Sequence, residues 1–184
     1  MKKQLIGFFL VLLTVFTSSL RADGLNPDVQ KKVEALMQQA RDWAAAPEIR
    51  DAVLAQNKQT PEEFASMTEE KWKALPAMHP FVHALTVNPA AKFLKQKKTD
   101  AVSEAFVSDA KGYKVAFLSK TTSWSHQGKP KHEVPMSGKT WQGRLEIDQS
   151  SGMQQLQFSV PVLDGDKPIG SLVIGIALSA LTAP

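Results

Sequence analysis

The side chains with the most chemical potential lie between Thr121 and Gln157. The stretch Thr121-Thr122-Ser123-Trp124-Ser125-His126-Gln127-Gly128-Lys129 crowds hydroxyls, a large aromatic ring and hydrogen-bonding groups together. Small-molecule pockets have that mix, an apolar wall with a few placed polar groups. A surface loop with Trp124 tucked into the core would have the same composition. Trp141 and Arg144 follow on the next segment. Arg144 could clamp a carboxylate with its planar fork, or pair with Glu146 or Asp148 at the surface. Further on, Gln155, Gln157 and Ser159 share one strand face by parity, opposite Leu156, Phe158 and Val160. Such a polar face lines a cavity if helices cover it and meets solvent if they do not.

The four histidines form two pairs. His79 and His83 are four apart, a spacing that puts two metal ligands on one helix face. Pro80 disfavours helical geometry at His79, however. His126 and His132 are six apart, which matches no helical or strand pairing, and the chain has no Cys to complete a site. Neither a metal nor another cofactor is expected. GxSxG, HExxH, Walker-type and GxGxxG motifs are all missing, and no carboxylate pair stands out as acid and base. An enzyme using His126 or His132 is therefore the least supported reading, and a non-enzymatic role is expected.

These residues need a scaffold, and its centre is Gln155–Leu181. Strict alternation up to Val162 marks a strand with unlike faces. Asp164-Gly165-Asp166 supplies turn chemistry. Ile169–Leu178 is apolar and β-branched enough for a central strand covered on both sides. Before it, strands are expected at Ala105–Ser108, Tyr113–Thr121 and Trp141–Asp148, with the hairpin made by Gln154–Leu163 and Lys167–Leu178. Thr122–Lys139 lacks periodicity and is long for a structureless loop, so it is expected to be functional or to carry a short helix.

The first half reads as helices. Asn26-Pro27-Asp28 opens one whose stripe is Val29, Val33, Leu36, Met37, Ala40, Trp43 and Ala44. Pro47 restarts it for Glu48–Gln56. Thr60-Pro61-Glu62-Glu63 reads as a capping box for a third helix. Thr68 caps a turn before Trp72, residues 76–89 are irregular or short-helical, and Asn88-Pro89 starts Ala90–Lys97. Lys92, Lys95, Lys97 and Lys98 cluster there as a solvated face, an anionic membrane surface or partner being the alternative. Helices first and strands after imply α+β, an antiparallel sheet with helices packed on it.

Lys2 and Lys3, the apolar run Leu5–Phe16 and the small-residue stretch to Ala22 have the layout of a secretory signal peptide. The expected division is 1–22 signal peptide, 23–104 helical part and 105–184 sheet of one domain. The expected address is periplasmic, an uncleaved anchor being the alternative. Lys2, Lys3 and Arg21 carry three positive charges, so removing 1–22 takes the formal net charge from +4 to +1. That balance gives no support for nucleic-acid binding.

Read in order, several segments carry a family resemblance. They are Asp109-Ala110-Lys111-Gly112, Val115-Ala116, Thr122-Ser123, Gln127-Gly128 and Gly138-Lys139-Thr140-Trp141, closing with Ser159-Val160-Pro161-Val162, Gly165 and Lys167-Pro168-Ile169-Gly170. Together they resemble the Cache sensor domain, the extracytoplasmic PAS-like (PDC) fold of bacterial receptors. The match runs from about Ala105 to Leu181, and residues 26–98 are similar in layout. The resemblance implies a PAS-like five-stranded antiparallel sheet, a long N-terminal helix on one face and a small-ligand pocket on the other. Thr122–Lys139 would roof the pocket. By location, the ligand-binding positions it implies are Thr122, Trp124, His126, Trp141, Arg144, Gln155 and Gln157. Relatives carry acidic residues near Trp124 and Lys129. Trp and Lys at those places point away from an acidic grip on an amine and toward a carboxylate-bearing ligand. Cache domains usually sit between two membrane helices, whereas this chain stops at Pro184 after its last strand. The expected role is a sensor acting through a separate membrane partner (a kinase, cyclase or chemoreceptor), with a homodimer through the N-terminal helix as one arrangement. The alternative is an exported protein-interaction module with the same fold and a filled pocket.

Overall fold

The computed structural model describes residues 25–147, 152 and 154–182. The expected signal peptide lies outside them, as do Asp148 and most of the turn after it.

The first helix, α1 (Pro27–Ala44), starts as its sequence dictates. Asn26 Oδ1 accepts from the Asp28 N–H at 2.8 Å, and Pro27 occupies the first turn. Val33, Met37, Ala40, Trp43 and Ala44 are buried. Pro47 opens α2 (Pro47–Lys58). The expected capping box at Thr60 does not form. Thr60 Oγ1 instead accepts from Lys111 Nζ at 3.1 Å, and the chain makes only a short 3-10 helix, Glu62–Ser66. Thr68 caps α3 (Glu69–Ala74) through the Lys71 N–H. Two short helices follow, α4 (Pro80–Val87) and α5 (Pro89–Lys97), the second capped by Asn88. His79 stands outside α4 in extended backbone geometry, as Pro80 requires.

The strands are β1 (Val102–Asp109) and β2 (Lys114–Phe117), then, after α6 (Pro130–Met136), β3 (Trp141–Ile147), β4 (Gln154–Asp164) and β5 (Lys167–Ala177). A terminal turn, α7 (Leu178–Thr182), ends the described chain. All pairings are antiparallel, in the order β2-β1-β5-β4-β3. The apolar β5 is thus the central strand. Gly165 takes φ +59° in the β4–β5 turn, a conformation open to glycine at little cost.

Two strand boundaries differ from the expectation by three residues or more, each for a physical reason. β1 begins three residues earlier, because Val102 and Glu104 have partners in Ile176 and Gly175 of the long β5. β2 ends at Phe117 rather than Thr121. Beyond it the chain is drawn onto the helices: Lys120 Nζ donates to the carbonyls of Trp72 and Leu75 at 2.6 Å each, and Thr121 O accepts from Trp72 Nε1 at 2.7 Å. Thr122–Lys139 does carry a short helix, α6.

The sheet has unlike faces. Leu156, Phe158, Val160 and Val162 are fully buried in the core that includes the apolar side of α1, α2 and α5. Each such side chain contributes about 1.5–3 kcal/mol of burial free energy. The opposite face is split. Beside β1 and β2 it carries a second core of Phe64, Trp72, Phe81, Phe106, Phe117 and Val173. Over β4 and β5 it is covered by α6. A cleft remains between these covers and β3.

Candidate functional site

The cleft holds about 180 Å³ and opens on the polar face of β4. Parity explains its floor. Gln155 and Gln157 point away from the apolar core that takes Leu156 and Phe158, and Glu104 and Phe106 of β1 point the same way. The wall on one side is Thr121, Thr122 and His126, and on the other Trp141, Gly143, Arg144, Glu146 and Ile147 of β3. Lys131 of α6 closes the roof.

Close backbone approaches place two of these side chains. A Cβ on Gly143 would stand 2.7 Å from the Trp141 ring, so the indole lies where only hydrogen fits. A Cβ on Gly175 would stand 2.7 Å from Gln155 Oε1 and 3.0 Å from Ser103 Oγ. The Gln155 amide rests there and accepts from Ser103 Oγ at 2.6 Å. Gln157 is a bridge: its Oε1 accepts from Lys131 Nζ at 2.5 Å and its Nε2 donates to Glu104 Oε2 at 2.6 Å. It ties roof to floor and sets a cation beside an anion.

Beneath the cleft lies an unusual pair. Lys114 is fully buried, and its Nζ contacts His126 Nδ1 while lying 3.6 Å from the centre of the Phe106 ring. His126 stacks on the same ring, with centroids 4.7 Å apart and planes at 12°. The two nitrogens share one proton between them: either a lysine N–H donates to the Nδ1 lone pair or Nδ1–H donates to a neutral lysine amine. Burial is the main force on both groups. It holds Lys114 well below the usual lysine range, partly offset by the Glu104 carboxylate. Burial, reinforced by repulsion from Lys114, Lys131, His132 and Lys129, pushes His126 down to about 2. On α6, His132 shares a hydrogen bond with Ser171 Oγ at 2.8 Å, and burial lowers its basicity too.

Of the seven positions singled out from sequence, the cleft brings together Thr122, His126, Trp141, Arg144, Gln155 and Gln157. Trp124 is placed elsewhere. It stacks against Tyr113 and Phe64, with centroids 5.0 and 5.9 Å away, as part of the second core's rim. Glu104, Phe106, Thr121 and Lys131 line the cleft but were not among the positions singled out. Glu104 fell outside the expected first strand. Its parity with Phe106 would have found it had that strand begun earlier. Lys131 had no periodicity to mark it. Among the described residues, no group of three or more His, Asp or Glu side chains is arranged to hold a metal ion.

No protein-family model and no curated protein matches the chain. Solved structures do. The Escherichia coli DcuS sensor domain matches with a TM-score of 0.50 at 16% identity, covering 85% of this chain and 96% of that one. The ligand-binding domain of the Pseudomonas fluorescens chemoreceptor CtaA, solved with L-valine, matches with a TM-score of 0.51 at 13% identity. That match covers 84% of this chain and 57% of CtaA's domain. The Vibrio cholerae histidine kinase DctB sensor domain matches at 0.45 and 14% identity, covering 83% of this chain. The chain spans about half the length of that domain, 53%. The fold is the PAS-like one of Cache (PDC) sensor domains, shared with the DcuS sensor domain and the CtaA ligand-binding domain.

Proposed function

We propose that this Cache-fold domain is a sensor module that binds a small carboxylate-bearing molecule in the β3–β4 cleft and signals through a separate membrane protein. The carrying observation is the cleft itself: a polar-floored space under a short helical roof, with Lys131 and Arg144 at its edges and hydrogen-bonding amides within it. Its volume of about 180 Å³ is below the 300–1,000 Å³ common for drug-sized ligands. A metabolite-sized occupant fits it. Lys131 and Arg144 supply the carboxylate's counter-charges, and Gln155 and Thr122 the neutral hydrogen bonds. The ligands named for relatives, such as L-valine for CtaA, are of that size class. The reading includes no chemical turnover, since the groups at the cleft are binding groups with no paired nucleophile and base.

Export follows from the expected signal peptide, and among the described residues no helix is long and apolar enough to cross a membrane. In this reading, the kinase, cyclase or chemoreceptor that would relay the signal is a partner. Pairing through α1 would have to use its polar outer face, because the apolar stripe is spent on the sheet.

A docking module without a ligand is the second reading. It draws on β3, an edge strand on which Leu145 and Ile147 are 40% and 65% exposed. Thermal unfolding of residues 23–184 against amino acids, small carboxylates, amines, purines and divalent metals separates the two. A shift of several degrees with carboxylates, lost in Arg144→Ala, supports the sensor. A flat panel from a stably folded protein supports docking.

A further inference from the structure

We propose that the cleft takes up its small anionic ligand together with one proton, held by the Lys114–His126 pair beneath the floor as the ligand's counter-charge. The inference rests on the reading of the cleft as an anion site.

The geometry is uncommon. A fully buried lysine has as its hydrogen-bond partner another base rather than a carboxylate. Both nitrogens lie against one Phe106 ring, and His126 and that ring form part of the cleft wall. An anion resting in the cleft can thus reach the pair through His126, which lines it. The lining charges otherwise cancel, Lys131 and Arg144 against Glu104 and Glu146. Lys131 and Arg144 still meet the carboxylate locally, and a proton on the pair is what tips the summed charge of the cleft positive.

Every neighbouring element adds to the balance at this point. Glu104 of β1 and Glu69 of α3 favour charge on Lys114, and Lys131 opposes it. Lys129 and His132 act with Lys131 against charge on His126. Arg144 and Glu146 face the pair across the cleft from β3. In the empty cleft, desolvation and these cations disfavour a proton on the pair. An anion that contacts His126 shifts the balance toward the proton, because an opposite charge within about 4–6 Å raises a base's pKa by roughly 1–3 units. The two bases titrate as a unit, so the proton belongs to the pair and not to one nitrogen. Since the complex binds more protons than the empty domain, affinity must rise as pH falls.

Isothermal titration with acetate, succinate and L-glutamate, at pH 7 to 9 in MOPS and in Tris, tests this. The expected result is tighter binding on acidification, at most tenfold per pH unit, and an apparent enthalpy that differs between the buffers in the sense of net proton uptake, at most one proton per ligand. Lys114→Met, nearly the same in volume, should abolish the buffer dependence. The wild-type measurement stands by itself if that variant fails to fold. Binding that is independent of pH and buffer overturns the proton coupling while leaving the cleft a ligand site. Failure of all three anions to bind overturns it as well, by removing its premise. The broad thermal panel then shows whether a non-anionic ligand binds instead.

Discussion

Acid should destabilise this domain through one identifiable side chain, His126. In the fold the imidazole is buried, stacked on Phe106 and hydrogen-bonded to Lys114. In the unfolded chain it titrates near 6.5, whereas burial and the surrounding cations push it down to about 2 in the fold. Below the unfolded value the unfolded state therefore binds one more proton than the folded state. The stability that His126 contributes is complete above about pH 6.5 and is lost progressively as pH falls toward the folded value. The slope approaches about 1.4 kcal/mol per pH unit below the unfolded value, so acidification from pH 6.5, where the unfolded imidazole is half protonated, to 4.5 removes about 2.3 kcal/mol. Other groups also respond to acid, and the comparison that isolates His126 is with His126→Gln, whose amide oxygen can still accept from Lys114. Urea unfolding of both proteins at pH 4.5, 5.5, 6.5 and 7.5 should show the wild type losing about 2.3 kcal/mol more than the variant between pH 6.5 and 4.5. Parallel stability curves for the two proteins would refute the reasoning, since they would mean that His126 accepts its proton in the fold as easily as outside it.

Three further outcomes can be checked. Asn88→Ala removes the cap of α5, made to the Ala91 N–H at 2.9 Å, and the Nδ2 bond to Val115 O at 2.7 Å; denaturant unfolding should show a loss of about 1–3 kcal/mol. Trp124→Ala should cost about 2–4 kcal/mol in the same assay and leave affinity for any cleft ligand within about twofold, because its ring packs on Phe64 and Tyr113 and not into the cleft. Gly175→Ala places a methyl where the Gln155 and Ser103 side chains meet; titration of a cleft ligand should show an affinity loss of about tenfold, with a stability cost of about 1–3 kcal/mol from overpacking.

The scaffold was largely legible because its signals are local and repeated. Alternation in Leu156–Val162 set the faces of β4, and the β-branched run after Lys167 marked the central strand. Asn26-Pro27 and Asn88-Pro89 marked helix starts. Thr60 misled because the chain after it makes only a short 3-10 helix whose N-cap position is Pro61, and the Thr60 hydroxyl meets Lys111, distant in sequence. The end of β2 depends likewise on Lys120 and Thr121 reaching Trp72 and Leu75 across the fold. At the site, parity located Gln155 and Gln157, but no local pattern could show that Trp124 turns toward Phe64. Lys114 was invisible as a buried group. A lysine in a short strand reads as a surface residue, and only the packing of Phe106 and His126 around it shows otherwise.

The central claim is that the cleft between α6, β3 and β4 holds a small carboxylate ligand. Amide and side-chain NMR spectra of residues 23–184, titrated with a panel of small carboxylates, test it most directly. The account predicts saturable shifts from at least one member, concentrated at Thr122, His126, Lys131, Arg144, Gln155 and Gln157. Shifts centred elsewhere, such as the groove formed by Met67, Leu75 and Phe81, or no saturable shift from any carboxylate, would contradict it.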